Sequence, residues 1–437
     1  MMTTEEGYLI LSEISAHEGK LASPAEGSIP SSSFPASLPD RMGPDVGIQL
    51  YRAFFLPLQE ERYPNGSCDP MSGEIIFRTP ITFGWDVFDE LPEHIPQGNI
   101  MLILGRGSAD RLKLKERIGS MMAGEMAVFS GVEPNPSSAT VERGAREIRE
   151  NDPDIIIAAG GGSVMDAAKF MSLIAVHGGT VMDYITGKRT PPDGGLPVYA
   201  IPTTPGTSSE ITPFTVVTDD RIGNKVGLRH PSLFPRGAII DPSLTVSLPP
   251  RQTAATGLDI LSHAVESFWS RNATPLTREF SLRSVSLVRE HLQGAYDDGA
   301  SRPQREGISL ASVLAGMAFS NTGTTICHSI SYPITYDSGL PHGMAVALSL
   351  GPAFELLRKK GFEGLRPLAE AFGSNTRDFR KDLESFMRSI GSPTTLEEAG
   401  FTGGEKRIMD TDMTALLRNF PVSLDEGDLE WIIRAIS

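Results

Sequence analysis

Cysteine is almost missing from this chain: Cys68 and Cys327 are the two it has in 437 residues. They give no disulfide framework and no Cys-x-x-Cys metal pair, so a reducing compartment, the cytoplasm, is the expectation. Long hydrophobic runs are missing too. No apolar stretch approaches the ~20 residues of a membrane span, and no membrane role is expected. Positive charge is in deficit: 39 Lys and Arg stand against 54 Asp and Glu, for a net charge of −15. That balance argues against nucleic acid as a partner and leaves small molecules bound by local groups. The start, Met1-Met2-Thr3-Thr4-Glu5-Glu6, has neither the basic nor the apolar segment of a secretion signal.

The chain is long enough for two full domains. Residues 1–70 read as a low-complexity or flexible extension, because 22–39 is dominated by Ser, Pro, Ala and Gly and buries too little to offset its ordering entropy. The apolar stretch Leu50–Leu58 is the part of it able to dock. Residues 71–249 alternate strand and helix signals. Apolar runs at 75–79, 99–104, 126–129, 154–159 and 198–201 predict strands, and 109–122, 141–151 and 166–176 predict helices between them. That is the pattern of a parallel α/β sheet buried on both faces. After Pro249-Pro250 the strand signals stop, and 250–437 reads as helical, with elements over 253–269, 275–294, 304–320 and 344–361.

Two turns in the α/β part carry chemistry. Gly160-Gly161-Gly162-Ser163 lies between a strand and a helix, where bare backbone N–H groups and the helix dipole favour a phosphate. Ser163 with Asp166 also fits a capping box. This is not the G-x-G-x-x-G fingerprint. A second turn, Thr203-Thr204-Pro205-Gly206-Thr207-Ser208-Ser209-Glu210, offers hydroxyls to the same ligand. The turn after the strand ending at Leu104 has Gly105, Arg106 and Ser108 and no acid to bind a ribose 2′-hydroxyl, which favours NADPH over NADH.

In the helical part Asp259 and His263 are four residues apart, on one face of a helix and one turn apart, a chelating spacing for a divalent cation. His328 and His342 lie downstream. Pro333, Gly339 and Pro341 separate them, so one is expected to end a helix and the other to open the next.

Taken together, Gly160–Asp166, Pro202-Thr203-Thr204, Asp259-x3-His263 and Pro341-His342-Gly343 make the chain resemble the iron-containing (group III) alcohol dehydrogenases from about Ile75 to Leu357. The resemblance implies an N-terminal dinucleotide-binding α/β domain, an all-α metal-binding domain, and an active site between them, the dehydroquinate synthase-like fold. It places Asp259, His263, His328 and His342 on the metal-ligand positions. Gly161, Gly162 and Ser163 fall on the pyrophosphate loop, Thr203, Thr204 and Thr207 on the second nucleotide loop, and Lys225 near the nicotinamide. It implies Fe²⁺, with Zn²⁺ also suited to three imidazoles and a carboxylate, NAD(P)H as hydride donor, a small aldehyde or alcohol as substrate, and a homodimer. A lyase like dehydroquinate synthase is the rival of the same fold, though its usual metal set is one carboxylate and two histidines.

Two departures stand out. Tyr332 occupies the place where many members have a further histidine assigned to proton relay, so either its hydroxyl or water serves as donor. Pro205 and Ser208 replace the usual alanine and glycine. The wording His328-Ser329-Ile330-Ser331-Tyr332-Pro333 is similar to a subgroup that reduces phosphonoacetaldehyde to 2-hydroxyethylphosphonate. For the phosphonate, Arg278, Arg283, Lys188 and Arg189 are the cations in the right regions.

Overall fold

Among the described residues eight strands form: β1 (Ile81–Phe83), β2 (Ile100–Gly105), β3 (Met126–Val132), β4 (Ile155–Gly160), β5 (Val198–Pro202), β6 (Phe214–Asp219), β7 (Asn224–Arg229) and β8 (Gly237–Ile240). They belong to a computed structural model that describes residues 75–219, 224–411 and 413–437. The extension 1–70, with Leu50–Leu58 and Cys68, lies outside the described residues. Six strands make one sheet in the order β1-β8-β5-β4-β2-β3, and every neighbour pair is parallel. β6 and β7 form a separate antiparallel hairpin in which Thr218 faces Lys225.

The sheet's apolar runs divide between two cores. Ile100, Leu102 and Leu104 of β2 enter one, and Met101 and Ile103 enter the other. β4 alternates in the same way, with Ile155, Ile157 and Ala159 against Ile156 and Ala158. A period-two side-chain alternation that is apolar on both faces needs helices on both faces. These are α1 (Leu91–His94), α2 (Ser108–Arg111), α3 (Leu114–Met121), α4 (Ser138–Asn151), α5 (Gly162–His177) and α6 (Val181–Ile185).

Two expectations are corrected here. The first strand is not 75–79. The ladder starts past Pro80, whose carbonyl accepts from Ala238 N at 2.9 Å, while Phe77 stays 46% exposed. The single helix over 109–122 is two helices, because Lys113 takes a left-handed φ of 50° between them. Ala109, Leu114 and Ile118 are all buried as a result.

The second half is helical: α7 (Pro250–Trp269), α8 (Pro275–Asp297), α9 (Arg302–Thr322), α10 (Ile326–Ser338), α11 (His342–Lys359), α12 (Leu365–Ala371), α13 (Phe379–Ser389), α14 (Gly404–Met409), α15 (Thr414–Leu417) and α16 (Glu426–Arg434). α7 is its axis. A proline opens it, where a missing N–H costs nothing, and every residue from Gly257 to Trp269 is buried. A helix sunk that deeply must satisfy its polar side chains internally, and α7 carries Asp259, His263 and Glu266. Among the described residues no helix is long and apolar enough to cross a membrane.

His328 does not end a helix as expected. Gly323, at φ 68°, stops α9, and His328 sits in the first turn of α10. Pro333 lies inside α10 and withholds one helical N–H, yet Ile326, Ile330 and Ile334 are fully buried along it. That burial outweighs one lost bond, and the helix runs on to Gly339.

Candidate active site

β2, β4 and β5 are neighbours in the sheet, so the turns after them line up at one edge, the carboxyl ends of parallel strands. This is where open α/β sheets bind nucleotides. β4 ends at Gly160, and α5 begins at Gly162 with Gly161 as its N-cap. The capping box expected of Ser163 and Asp166 does not form. The glycine turn starts the helix earlier, so no side chain caps it and its first N–H groups are left for a ligand. Ser163 Oγ instead accepts from Asn135 N at 3.1 Å. The two turns interlock. A Cβ on Gly162 would fall 2.4 Å from Thr207 Oγ1, and one on Gly161 would fall 3.1 Å from Thr204 Oγ1. Thr203 donates to Ser108 Oγ at 3.1 Å, which ties in the turn after β2. In that turn Arg106 is exposed and Gly105 half-buried. Ser208, standing where glycine is usual, takes a left-handed φ of 50°, and its Oγ donates to Ser312 O of α9 at 2.7 Å.

Asp259, His328 and His342 come together from α7, α10 and α11. One donor atom from each lies within 4.8 Å of the other two. The close approach of α11 to α7 rests on Gly343, where a Cβ would sit 2.0 Å from Ala255 O. His263 is not part of that group. Its ring stacks on Phe319, centroids 4.1 Å apart, and on His328 at 4.8 Å.

Asp259 Oδ1, His328 Nε2 and His263 Nδ1 are buried with no hydrogen-bond partner. Buried polar atoms without partners are costly, and two of them, Asp259 Oδ1 and His328 Nε2, belong to residues of the converging group, which fits a bound cation. Burial holds the His263 imidazole down at about 4, against the pull of Asp259. Burial also pushes His342 well below its ordinary value, helped by Lys225 and His328. Both are then neutral at pH 7, the form of an imidazole that can bind a metal.

A residue not singled out from the sequence completes this site. Glu266 is fully buried and takes the Nδ1–H of His328 on Oε2; its Oε1 accepts from Thr325 Oγ1 and, at 2.9 Å, from Cys327 N. Burial would raise this carboxyl, but His328 and these donors hold it below its ordinary value. Glu266 thereby aims His328 Nε2 at Asp259 and His342. Its spacing, seven residues after Asp259, was the available signal. His342 Nδ1 lies 3.4 Å from Ser331 Oγ.

Lys225, on the hairpin, is lowered by burial to about 8 while the Asp259 and Asp166 carboxylates raise it, and its strand packs against α10, which carries His328. Tyr332 stacks on His342 with centroids 6.2 Å apart, and burial pushes its phenol up to about 12. The suggested phosphonate cations are placed elsewhere. Arg278 donates its Nε to Phe268 O near the far end of α7, and Arg283 is exposed on α8. Lys188 pairs with Asp183 and Arg189 donates to His177 O, beyond the C-terminus of α5. That helix is about 24 Å long, so they lie at the opposite end from the glycine turn.

Residues 79–242 match the family described as iron-containing alcohol dehydrogenase, and residues 253–436 match the C-terminal domain of the same family. The chain belongs to the iron-containing alcohol dehydrogenase family. It is therefore an alcohol dehydrogenase or aldehyde reductase, of a family that uses a metal ion and NAD(P), and the rival lyase reading falls. It is 32% identical to long-chain-alcohol dehydrogenase 1 of Geobacillus thermodenitrificans over 83% of this chain and 96% of that one. It is 35% identical to the NADPH-dependent butanol dehydrogenase of Clostridium saccharobutylicum over 69% and 80%. Among solved structures it is similar to the sulfoacetaldehyde reductase of Bifidobacterium kashiwanohense in complex with NAD+. The TM-score is 0.76 at 30% identity, with 84% of this chain and 99% of that one covered.

Proposed function

We propose that this iron-containing alcohol dehydrogenase reduces a short aldehyde to its primary alcohol with hydride from NADPH. The observation that carries the reading is the convergence of Asp259, His328 and His342 beside Lys225. Those three residues would hold the cation, Fe²⁺ or Zn²⁺ by donor type, with His263 one turn past Asp259 as the fourth donor. When bound, it supplies Lewis acidity at the aldehyde oxygen.

The chain's own residues do the rest. Gly161, Gly162 and Ser163, with the hydroxyls of Thr203, Thr204 and Thr207, bind the pyrophosphate. Gly105, Arg106 and Ser108 face the ribose, and Arg106 with no carboxylate before Asp110 favours a 2′-phosphate. Lys225 lies on the nicotinamide side. Tyr332 keeps its proton at neutral pH and holds it beside His342, ready for the alcohol oxygen.

Within the substrate class, an aldehyde with an anionic head, phosphonoacetaldehyde, is the finer reading. The wording from His328 to Pro333 supports it. So does the likeness to a reductase named for sulfoacetaldehyde, also a short aldehyde with an acidic head. Among the described residues, Lys225 is one cation whose charge reaches the site.

The test is nicotinamide oxidation by the Fe²⁺-loaded protein with butyraldehyde, sulfoacetaldehyde and phosphonoacetaldehyde. No oxidation with any of them defeats the main reading. A kcat/KM for phosphonoacetaldehyde no higher than for butyraldehyde defeats the finer one. Arg106→Ala is expected to raise KM for NADPH about tenfold and leave NADH unchanged; equal effects on both defeat the cofactor preference.

A further inference from the structure

A cavity outside the assigned sites is walled by the turn after β5 (Pro202, Pro205, Glu210), by the turn after β8 (Asp241, Thr245) and by α9 (Ser309, Ser312). It has room for about one water-sized occupant. The polar side chains in its wall are carboxylates and hydroxyls, so every polar atom they offer is oxygen. The two prolines have no N–H to donate. None of these residues is assigned to the cofactor or to the Asp259 cluster.

Donors run short in this wall. Asp241 is satisfied from outside it, by the N–H groups of Asp86 at 3.1 Å, Phe88 at 3.0 Å and Ser243 at 2.8 Å. Thr245 Oγ1 gives its proton to Pro242 O at 2.7 Å. Ser208 Oγ gives its proton to Ser312 O at 2.7 Å, so in the 3.2 Å contact between the two hydroxyls Ser312 is the donor. Neither hydroxyl has a proton left for Glu210. That residue is 2% exposed, and its Oε2 is buried with no hydrogen-bond partner.

Counter-charge is short as well. Lys169 of α5 pulls on the Glu210 carboxylate, but its Nζ is spent on Ser209 O at 3.0 Å, Thr212 O at 3.4 Å and Phe214 O, and on Asp166 Oδ1 at 3.4 Å. One ammonium therefore serves two carboxylates, Asp166 and Glu210. Burial pushes Glu210 up to about 7 in spite of Lys169, and Asp166 adds to the rise. A buried carboxylate in that position either keeps a proton or takes a cation. An all-oxygen wall suits a hard cation. Mg²⁺ would keep several waters, for which there is no room, and one unpartnered carboxylate oxygen matches a single charge.

We propose that this cavity is a binding site for a monovalent alkali cation, Na⁺ or K⁺, held by Glu210 with the oxygens of Asp241, Thr245, Ser309 and Ser312. The ion competes with the proton for Glu210 and ties the turn after β5 to α9 and to the turn after β8. The test follows the thermal unfolding midpoint of the metal-loaded full chain at constant ionic strength. Tetramethylammonium chloride, whose cation is too large for the cavity, is replaced stepwise by NaCl or KCl. At about pH 8, with Glu210 ionised, the midpoint is expected to rise by about 2 °C and to saturate near about 100 mM. At about pH 5 the proton holds Glu210, and the rise is expected to vanish. The charged groups that face Glu210 are Lys169 and Asp166 of α5 and Asp241 in the wall, so Glu210→Gln isolates its own part: shape is kept, charge is removed, and the response is expected to be lost at both pH values. Equal midpoints in all three salts at about pH 8 overturn the proposal and leave the cavity to water. A full response in folded Glu210→Gln overturns it too. If that variant does not fold, Ser309→Ala decides, because it removes one oxygen and keeps both carboxylates. About tenfold more salt is then expected for half the shift, and an unchanged response overturns the site.

Discussion

One methyl group at Gly343 should strip the enzyme of its metal. Gly343 follows His342 at the start of α11, and a Cβ there would stand 2.0 Å from Ala255 O, 2.6 Å from Asp259 N and 2.7 Å from Asp259 Cβ. The first two are backbone atoms of a buried helix and cannot swing away. Restoring ordinary contact at 3.4 Å requires about 1.4 Å of separation between α11 and α7. That movement carries His342 away from Asp259. Metal–ligand distances hold within about 0.2 Å, so the shift is several times what the site tolerates. The structure should lose about 1–3 kcal/mol from overpacking, a small share of what a buried helical core provides. Metal affinity should fall at least about a hundredfold. Elemental analysis after dialysis against a graded chelator measures the affinity, with far-UV circular dichroism to confirm folding. Gly351→Ala is the control on the same helix, since its nearest contact is the flexible Arg380 Cγ at 2.9 Å. A folded Gly343→Ala protein that keeps its metal at wild-type affinity would refute the reasoning.

Three further outcomes follow from buried groups. Glu266→Gln removes the charge that orients His328, so metal affinity should drop about ten- to a hundredfold while the fold persists; unchanged affinity would show that His328 needs no such partner. Glu210 is raised by burial to about 7, so between about pH 4.5 and 7 the folded chain keeps a proton that the unfolded chain has released. Its contribution to stability is therefore complete below the unfolded value and is lost as pH rises through 7, by at most about 3.5 kcal/mol at ~1.4 per unit. Glu210→Gln removes that slope, and its unfolding midpoint should gain on the wild type from about pH 5 to 8; a constant difference contradicts the assignment. Tyr332→Phe should lower kcat at least about tenfold at unchanged metal content, and an unchanged kcat would leave the proton to water.

The sheet was legible because β2 and β4 are apolar at every position, which only strands covered on both faces tolerate. The β6–β7 hairpin was missed, since Thr215, Thr218 and Lys225 interrupt its pattern. The start of α10 was misjudged because Pro333 is a strong local signal, yet three buried isoleucines override it. Lys169 looked like any helix lysine, and nothing local says that its ammonium meets the carbonyls of residues forty positions later.

What the sequence by itself determined is what depends on short spacing and residue type: the parallel α/β order, the glycine turn before α5, the helical second half, and the pairing of Asp259 with His263 on one helix face. What only the tertiary structure decided is which atoms meet. Asp259, His328 and His342 converge while His263 stacks on Phe319; Glu266 turns His328; and Gly343 lets two helices touch. Those outcomes depend on packing between elements far apart in the chain, where a ring stacking at 4.1 Å or the room for a single methyl group is set by volumes and angles that no local pattern encodes.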